Sequence, residues 1–162
     1  MIKRTTPNEH AALLAMSAAT GVFYDNEIET LEEVLADFER EGDDYGHICQ
    51  TLLQDEEPIG FAYYAPVAMA DRTWELWWIV VAPKLHGQGI GTQILHAVEA
   101  EIRNQEGRLL LIETSSLTKY EPTRRFYLKH GYAEVARIPH FYRNGDDKVI
   151  YSRLMSGAVD VS

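Results

Sequence analysis

Apolar positions recur along this chain with two periods, and the alternation between them sets out the fold. Across residues 27–41, Ile28, Leu31, Val34, Leu35 and Phe38 fall at helical spacing with carboxylates opposite, which predicts an amphipathic helix with a solvated acidic face. Before it, residues 2–5 read as a short strand. Thr6, Pro7 and Glu9 then form a capping-box signature that starts a helix running to about Ala19. Residues 47–54 and 58–65 predict a hairpin joined by the turn-prone Asp55-Glu56-Glu57, and residues 73–81 a long strand. Residues 89–105 read as a helix ended by Gly107, 108–113 as a buried strand, 122–130 as a short helix stopped by Gly131, and 132–138 with 148–154 as a terminal hairpin. The order β-α-α-β-β-β-α-β-α-β-β predicts an α/β protein, an α+β mixed sheet with helices packed on it. Residues 156–162 read as a frayed tail, and no internal repeat is present.

With 162 residues, 46% of them hydrophobic, the chain is long enough for one substantial core, so residues 1–155 are expected to be a single domain. Its 25 acidic against 15 basic residues give a formal net charge of −10, which argues against nucleic acid and anionic membranes and tolerates a cationic small substrate. Cys49 is alone and reads as a small buried residue, and no Cys/His spacing suggests a metal. Met1 to Pro7 lack a signal-peptide apolar region, and no apolar run approaches the ~20 residues of a membrane span, so the expected compartment is the cytoplasm.

The densest chemical signal is the run from Val80 to Thr92, where an apolar strand feeds a glycine-rich turn that opens into a helix. Gly87, Gly89 and Gly91 remove β-carbons that would block close approach, and the helix start offers amides and a positive dipole end to an anion. A cofactor with a pyrophosphate is the expected ligand. A dinucleotide-binding oxidoreductase with Glu113 on the ribose fits less well: its third glycine falls on Thr92, and Ala82 to His86 separate strand from turn.

The segment His86-Gly87-Gln88-Gly89-Ile90-Gly91 resembles the acyl-CoA-binding turn of the GCN5-related N-acetyltransferases (GNAT), Gln/Arg-x-x-Gly-x-Gly/Ala, with His86 in place of the usual Gln or Arg. Downstream, Phe126-Tyr127 to Gly131-Tyr132 resembles the family's helix ending Phe-Tyr-x-x-x-Gly-Phe, with Tyr120 where the family often has Asn. The resemblance covers roughly residues 2–155. It implies the GNAT acyl-CoA N-acyltransferase fold, acetyl-CoA as co-substrate, and transfer of an acetyl group to a primary amine by direct attack in a ternary complex. Cofactor contacts are then expected from the main chain of Ile79, Val80 and Val81, from the turn residues His86, Gly87, Gln88, Gly89, Ile90, Gly91 and Thr92, and from Tyr127.

Acetyl transfer to an amine needs a base for the ammonium, polarisation of the thioester carbonyl and a proton for the leaving thiolate. Glu75 shares a strand face with Trp77, Ile79 and Val81, whose bulk should raise its pKa and suit it to act as base; an exposed strand-end carboxylate is the plain alternative. Tyr127 matches the family tyrosine that serves the CoA sulfur, and a phenol stays protonated at neutral pH; the alternative is a packed helix tyrosine. A backbone amide near Val81 is the expected oxyanion donor. Glu113, at a strand's carboxyl end, is a rival base, while Thr114, Ser115 and Ser116 read as an ordinary polar strand exit. The resemblance places the acceptor pocket at Phe23 and Tyr24, between the first helices, and at His140, Phe141 and Tyr142, in the terminal hairpin turn. The histidines at 10, 47, 96 and 130 read as surface or helix-end residues. The rival to an enzyme is a non-catalytic acyl-CoA-binding or sensing module of the same fold. The acceptor, whether small molecule or peptide, stays open, and the terminal strands could pair across a homodimer.

Overall fold

The computed structural model describes residues 1–155, so the expected tail at 156–162 lies outside the described residues. Seven strands and four α-helices follow in the predicted order: β1 (Ile2–Arg4), α1 (His10–Ala19), α2 (Asp25–Glu41), β2 (Ile48–Gln54), β3 (Glu57–Pro66), β4 (Thr73–Val81), α3 (Ile90–Asn104), β5 (Leu109–Ser115), α4 (Glu121–Lys129), β6 (Ala133–Arg143) and β7 (Asp146–Leu154). The strands hydrogen-bond in the order β1-β2-β3-β4-β5-β7-β6. The β4–β5 pair is parallel and its ladder runs from Thr73↔Leu109 to Leu76↔Ile112, whereas β1–β2, β2–β3, β5–β7 and β6–β7 are antiparallel.

Two compact units make up the chain. The first holds Met1–Pro66 and Trp77–Glu101. Its core gathers Leu13 and Met16 from α1, Leu31, Leu35 and Phe38 from α2, and Cys49, Phe61, Tyr63 and Val80 from the strands. Of the apolar stripe read from the sequence, Leu31, Leu35 and Phe38 are buried and Ile28 and Val34 half-buried, and Cys49 is fully buried and free, its thiol pushed up to about 12 by burial. Helix starts follow their caps. The Thr6 N–H donates to Glu9 Oε2 at 2.7 Å, with Pro7–Glu9 forming a 3-10 turn ahead of α1. Helix α2 begins two residues earlier than the apolar period indicates, because Glu27 Oε2 accepts the Tyr24 N–H at 2.6 Å and makes Tyr24 the cap.

Among the described residues, the second unit holds Val67–Leu76 and residues 102–155. Its buried side chains include Trp74, Leu76, Leu110, Ile112, Tyr127, Tyr132, Val149 and Tyr151. Gly107 closes the end of α3, its N–H donating to the Ile102 carbonyl at 2.7 Å. Here the structure corrects the sequence reading: β6 does not stop at Ile138 but runs to Arg143, and the turn is the two-residue Asn144-Gly145 between the paired Arg143 and Asp146. Pro139 has no amide to give the ladder, and the strand passes it by a register break between Ile138 and Arg143 with His140 at φ +57°.

Candidate active site

The glycine turn belongs to the first unit. After Val81 ends β4, Pro83–Leu85 makes one 3-10 turn, and Gly87 and Gly89 then adopt φ of +76° and +81°, where a side chain would be strained. Nothing lies within 4 Å of the position a Cβ would take at either glycine, so the ground before α3 is open. His86 Nε2 sits 2.9 Å from the Val81 carbonyl and Gln88 Nε2 donates to the Lys84 carbonyl at 3.3 Å, so the side chains on both flanks of Gly87 tie the turn to its own backbone. The α3 ladder opens with the Gln93 N–H on the Gly89 carbonyl at 3.1 Å. A helix start of this form turns amides and the positive dipole end toward an anion, so the residues present fit a pyrophosphate. Val80 is buried in the core while Ile79 and Val81 are half-buried, and all three follow the last β4–β5 pair at Leu76↔Ile112.

The same unit contains an aromatic group that sequence reasoning missed. His47, taken above for a surface residue, is half-buried: its Nδ1 lies 2.6 Å from the Tyr63 hydroxyl and its ring meets Trp77 at 5.2 Å and Tyr45 at 6.3 Å between centroids. Tyr63 and Trp77 stack at 5.3 Å. Burial lowers the His47 pKa and raises that of Tyr63, which favours the uncharged form of both groups. Trp77, 41% exposed, carries this group to the surface. The available signal was the alternation along β4, which put Trp77 beside Glu75 in sequence but could not show what crossed from the neighbouring strands.

In the second unit the two candidate bases are partners. Glu75 pairs in register with Leu111, which places Glu113 two residues on along the same face of β5. Glu75 is half-buried and its pKa is raised, first by burial and then by the negative charge of Glu113, with Lys148 opposing. Lys148 Nζ lies 2.9 Å from Glu113 Oε2 and 3.6 Å from the centroid of the Phe141 ring. Lys148 has no counterpart among the residues singled out from the sequence, because its place depends on the β5–β7 register, Ser115↔Lys148.

Tyr127 is 3% exposed, with Phe126, Tyr151 and Tyr132 around it at 5.7, 5.8 and 6.1 Å between ring centroids. Burial raises its pKa and holds the phenol in its protonated form. No buried side-chain oxygen or nitrogen lacks a hydrogen-bond partner among the described residues. Among the same residues, no group of three His, Cys, Asp or Glu side chains is placed to hold a metal ion, and no helix is long and apolar enough to cross a membrane.

Residues 14–132 match the acetyltransferase (GNAT) family. The chain belongs to this family. Among solved structures, a protein described as a GNAT-family acetyltransferase from Desulfovibrio desulfuricans is 33% identical, with a TM-score of 0.92 over 96% of this chain and 99% of that one. The ribosomal-protein-S18-alanine N-acetyltransferase of Escherichia coli is 18% identical, with a TM-score of 0.79 over 100% and 97%. An aminoglycoside 6'-N-acetyltransferase complexed with coenzyme A is also 18% identical, with a TM-score of 0.76 over 99% of both chains. These last two share the fold. No curated protein sequence matches.

The remaining candidates of this GNAT chain divide by role. Phe23 packs against the first unit's core, and Tyr24 is half-buried at the cap of α2. His140 is not in the hairpin turn, as the sequence suggested, but in β6; its Nδ1 accepts the Gly145 N–H at 2.9 Å, so the imidazole closes the turn from the strand. Phe141 and Tyr142, also in β6, are 50% and 41% exposed. Ser115 and Ser116 are structural ties: the Ser115 hydroxyl donates to the buried Asp146 carboxylate at 2.5 Å, and Ser116 Oγ accepts the Asp147 N–H at 2.8 Å.

Proposed function

We propose that residues 1–155 form one N-acetyltransferase domain that transfers an acetyl group from acetyl-CoA to a primary amine by direct attack in a ternary complex. The observation that carries this reading is the open, positive-φ glycine turn at the head of the 15-residue helix α3, within a chain of the GNAT family. The amides of Gln88, Gly89, Gly91 and Thr92 would hold the pyrophosphate, and the main chain from Ile79 to Val81 the pantetheine arm, with an amide near Val81 as oxyanion donor. Bound acetyl-CoA supplies the thioester carbonyl and the sulfur leaving group.

Glu75 takes a proton from the acceptor ammonium, leaving a neutral amine able to attack; a carboxylate made more basic by burial is suited to that task. Tyr127, kept protonated by burial, gives its proton to the departing sulfur. The related folds named for a protein alanine and for aminoglycosides support an amine acceptor, and the net charge of −10 favours a cationic one.

Thermal unfolding with acetyl-CoA, CoA and NADH at matched concentrations tests the cofactor half of this reading. The melting temperature is expected to rise with both CoA species and not with NADH. A rise with NADH alone, or none with either CoA species, would overturn it.

A further inference from the structure

Glu75 and Glu113 entered as rival bases, yet the structure puts them in one row. Strand β4 supplies Glu75, β5 supplies Glu113 and β7 supplies Lys148, all on the same face by the registers Glu75↔Leu111, Glu113↔Ile150 and Ser115↔Lys148. Two carboxylates this close in the row repel each other unless a third group offsets their charge. The third group is the Lys148 ammonium, 2.9 Å from Glu113 Oε2. It is held from the other side by the Phe141 ring at 3.6 Å, with Tyr142 at 5.9 Å, and only 14% of its side chain is exposed. A cation fixed and dried in this way acts on its neighbours far more strongly than a surface lysine.

We propose that Lys148 is a positioning residue for acetyl transfer: held between the Phe141 ring and Glu113, it fixes the Glu113 carboxylate beside Glu75, the one group of the row that takes up and releases the proton. The inference rests on the reading of Glu75 as base. In the step itself, Glu75 receives the proton of the acceptor ammonium and becomes the carboxylic acid, and the nitrogen keeps the electron pair. The new acid O–H then donates to the Glu113 carboxylate, and Glu75 returns its proton to water before the next cycle. Glu113 is thus the seat for the protonated form of Glu75 rather than a second base. The charged groups acting on Glu75 among the described residues are Glu113 from β5 and Lys148 from β7, and they act with opposite sign.

That opposition makes the test. The carboxyl carbon of Glu75 is followed by NMR against pH in the full chain, as wild type, Glu113→Gln, Lys148→Met and Lys148→Arg. Glu113→Gln removes the neighbouring negative charge and should move the Glu75 midpoint down. Lys148→Met removes the positive charge and should move it up, and Lys148→Arg should restore it toward wild type. The acid limb of kcat/KM against pH should follow in the same order. Lys148→Gln replaces the Met variant if the latter does not fold, with the same expected direction. A Glu75 midpoint that ignores both substitutions, or moves the same way in both, overturns the proposal. Opposite NMR shifts with an unmoved acid limb uphold the coupled row and remove Glu75 from the role of base, so failure of the underlying reading is seen separately.

Discussion

Burial acts on Glu75 and Tyr127 in the same direction and to different ends. Each loses water around its charged form, so each holds its proton to higher pH. For a carboxylate this makes a better base, and for a phenol it preserves the proton to be given away. Replacing Tyr127 with Phe keeps the ring among Phe126, Tyr132 and Tyr151 and removes only the hydroxyl. Turnover should therefore fall by roughly 10²–10⁴-fold while CoA affinity hardly changes, as general acid catalysis predicts. Equal losses in both would count against the acid role. The elevated pKa of Glu75 was legible in the sequence, because apolar neighbours at alternate positions announce desolvation. Its partnership with Glu113 and Lys148 was not, since that depends on strand register, which no local pattern encodes.

At the scale of elements, sequence signals worked where chemistry is local and failed where two signals competed. Capping residues located the 3-10 turn that leads into α1, and the apolar stripe of α2 buried Leu31, Leu35 and Phe38 while leaving Ile28 and Val34 half-buried. The sequence reading ended strand β6 at Ile138, whereas the strand passes Pro139 through a register break and turns at Asn144-Gly145. That error moved His140, Phe141 and Tyr142 out of the strand where they belong. Two glycines now separate loop function from packing. Gly89→Ala places a side chain at φ +81° in open space, so stability should fall by about 1 kcal/mol while CoA affinity falls by more, because the loop must leave that conformation. Gly42→Ala, at the end of α2, instead puts a Cβ 2.7 Å from the Phe38 carbonyl and against the Phe38 ring, so it should cost about 1–3 kcal/mol and spare the CoA affinity of the folded protein. Melting curves paired with CoA titrations check both, and an unchanged affinity in Gly89→Ala would contradict the loop assignment.

For the whole molecule, the order of strands and helices was fully readable and the fold followed from it. The acceptor was not, because one fold serves proteins named for a ribosomal-protein alanine and for aminoglycosides. What the chain adds of its own is an acidic balance of −10 and an aromatic cluster that reaches the surface at Trp77. The deciding measurement is amine-dependent thiol release from acetyl-CoA across a panel of polyamines, amino acids, aminoglycosides and peptides, with product mass recorded, for wild type and Glu75→Gln. The account predicts release with at least one cationic amine, an acetylated product, and a rate in Glu75→Gln lower by roughly 10²-fold or more near neutral pH. Saturable acetyl-CoA binding with no amine-dependent release from any member of the panel would contradict it and leave a binding module.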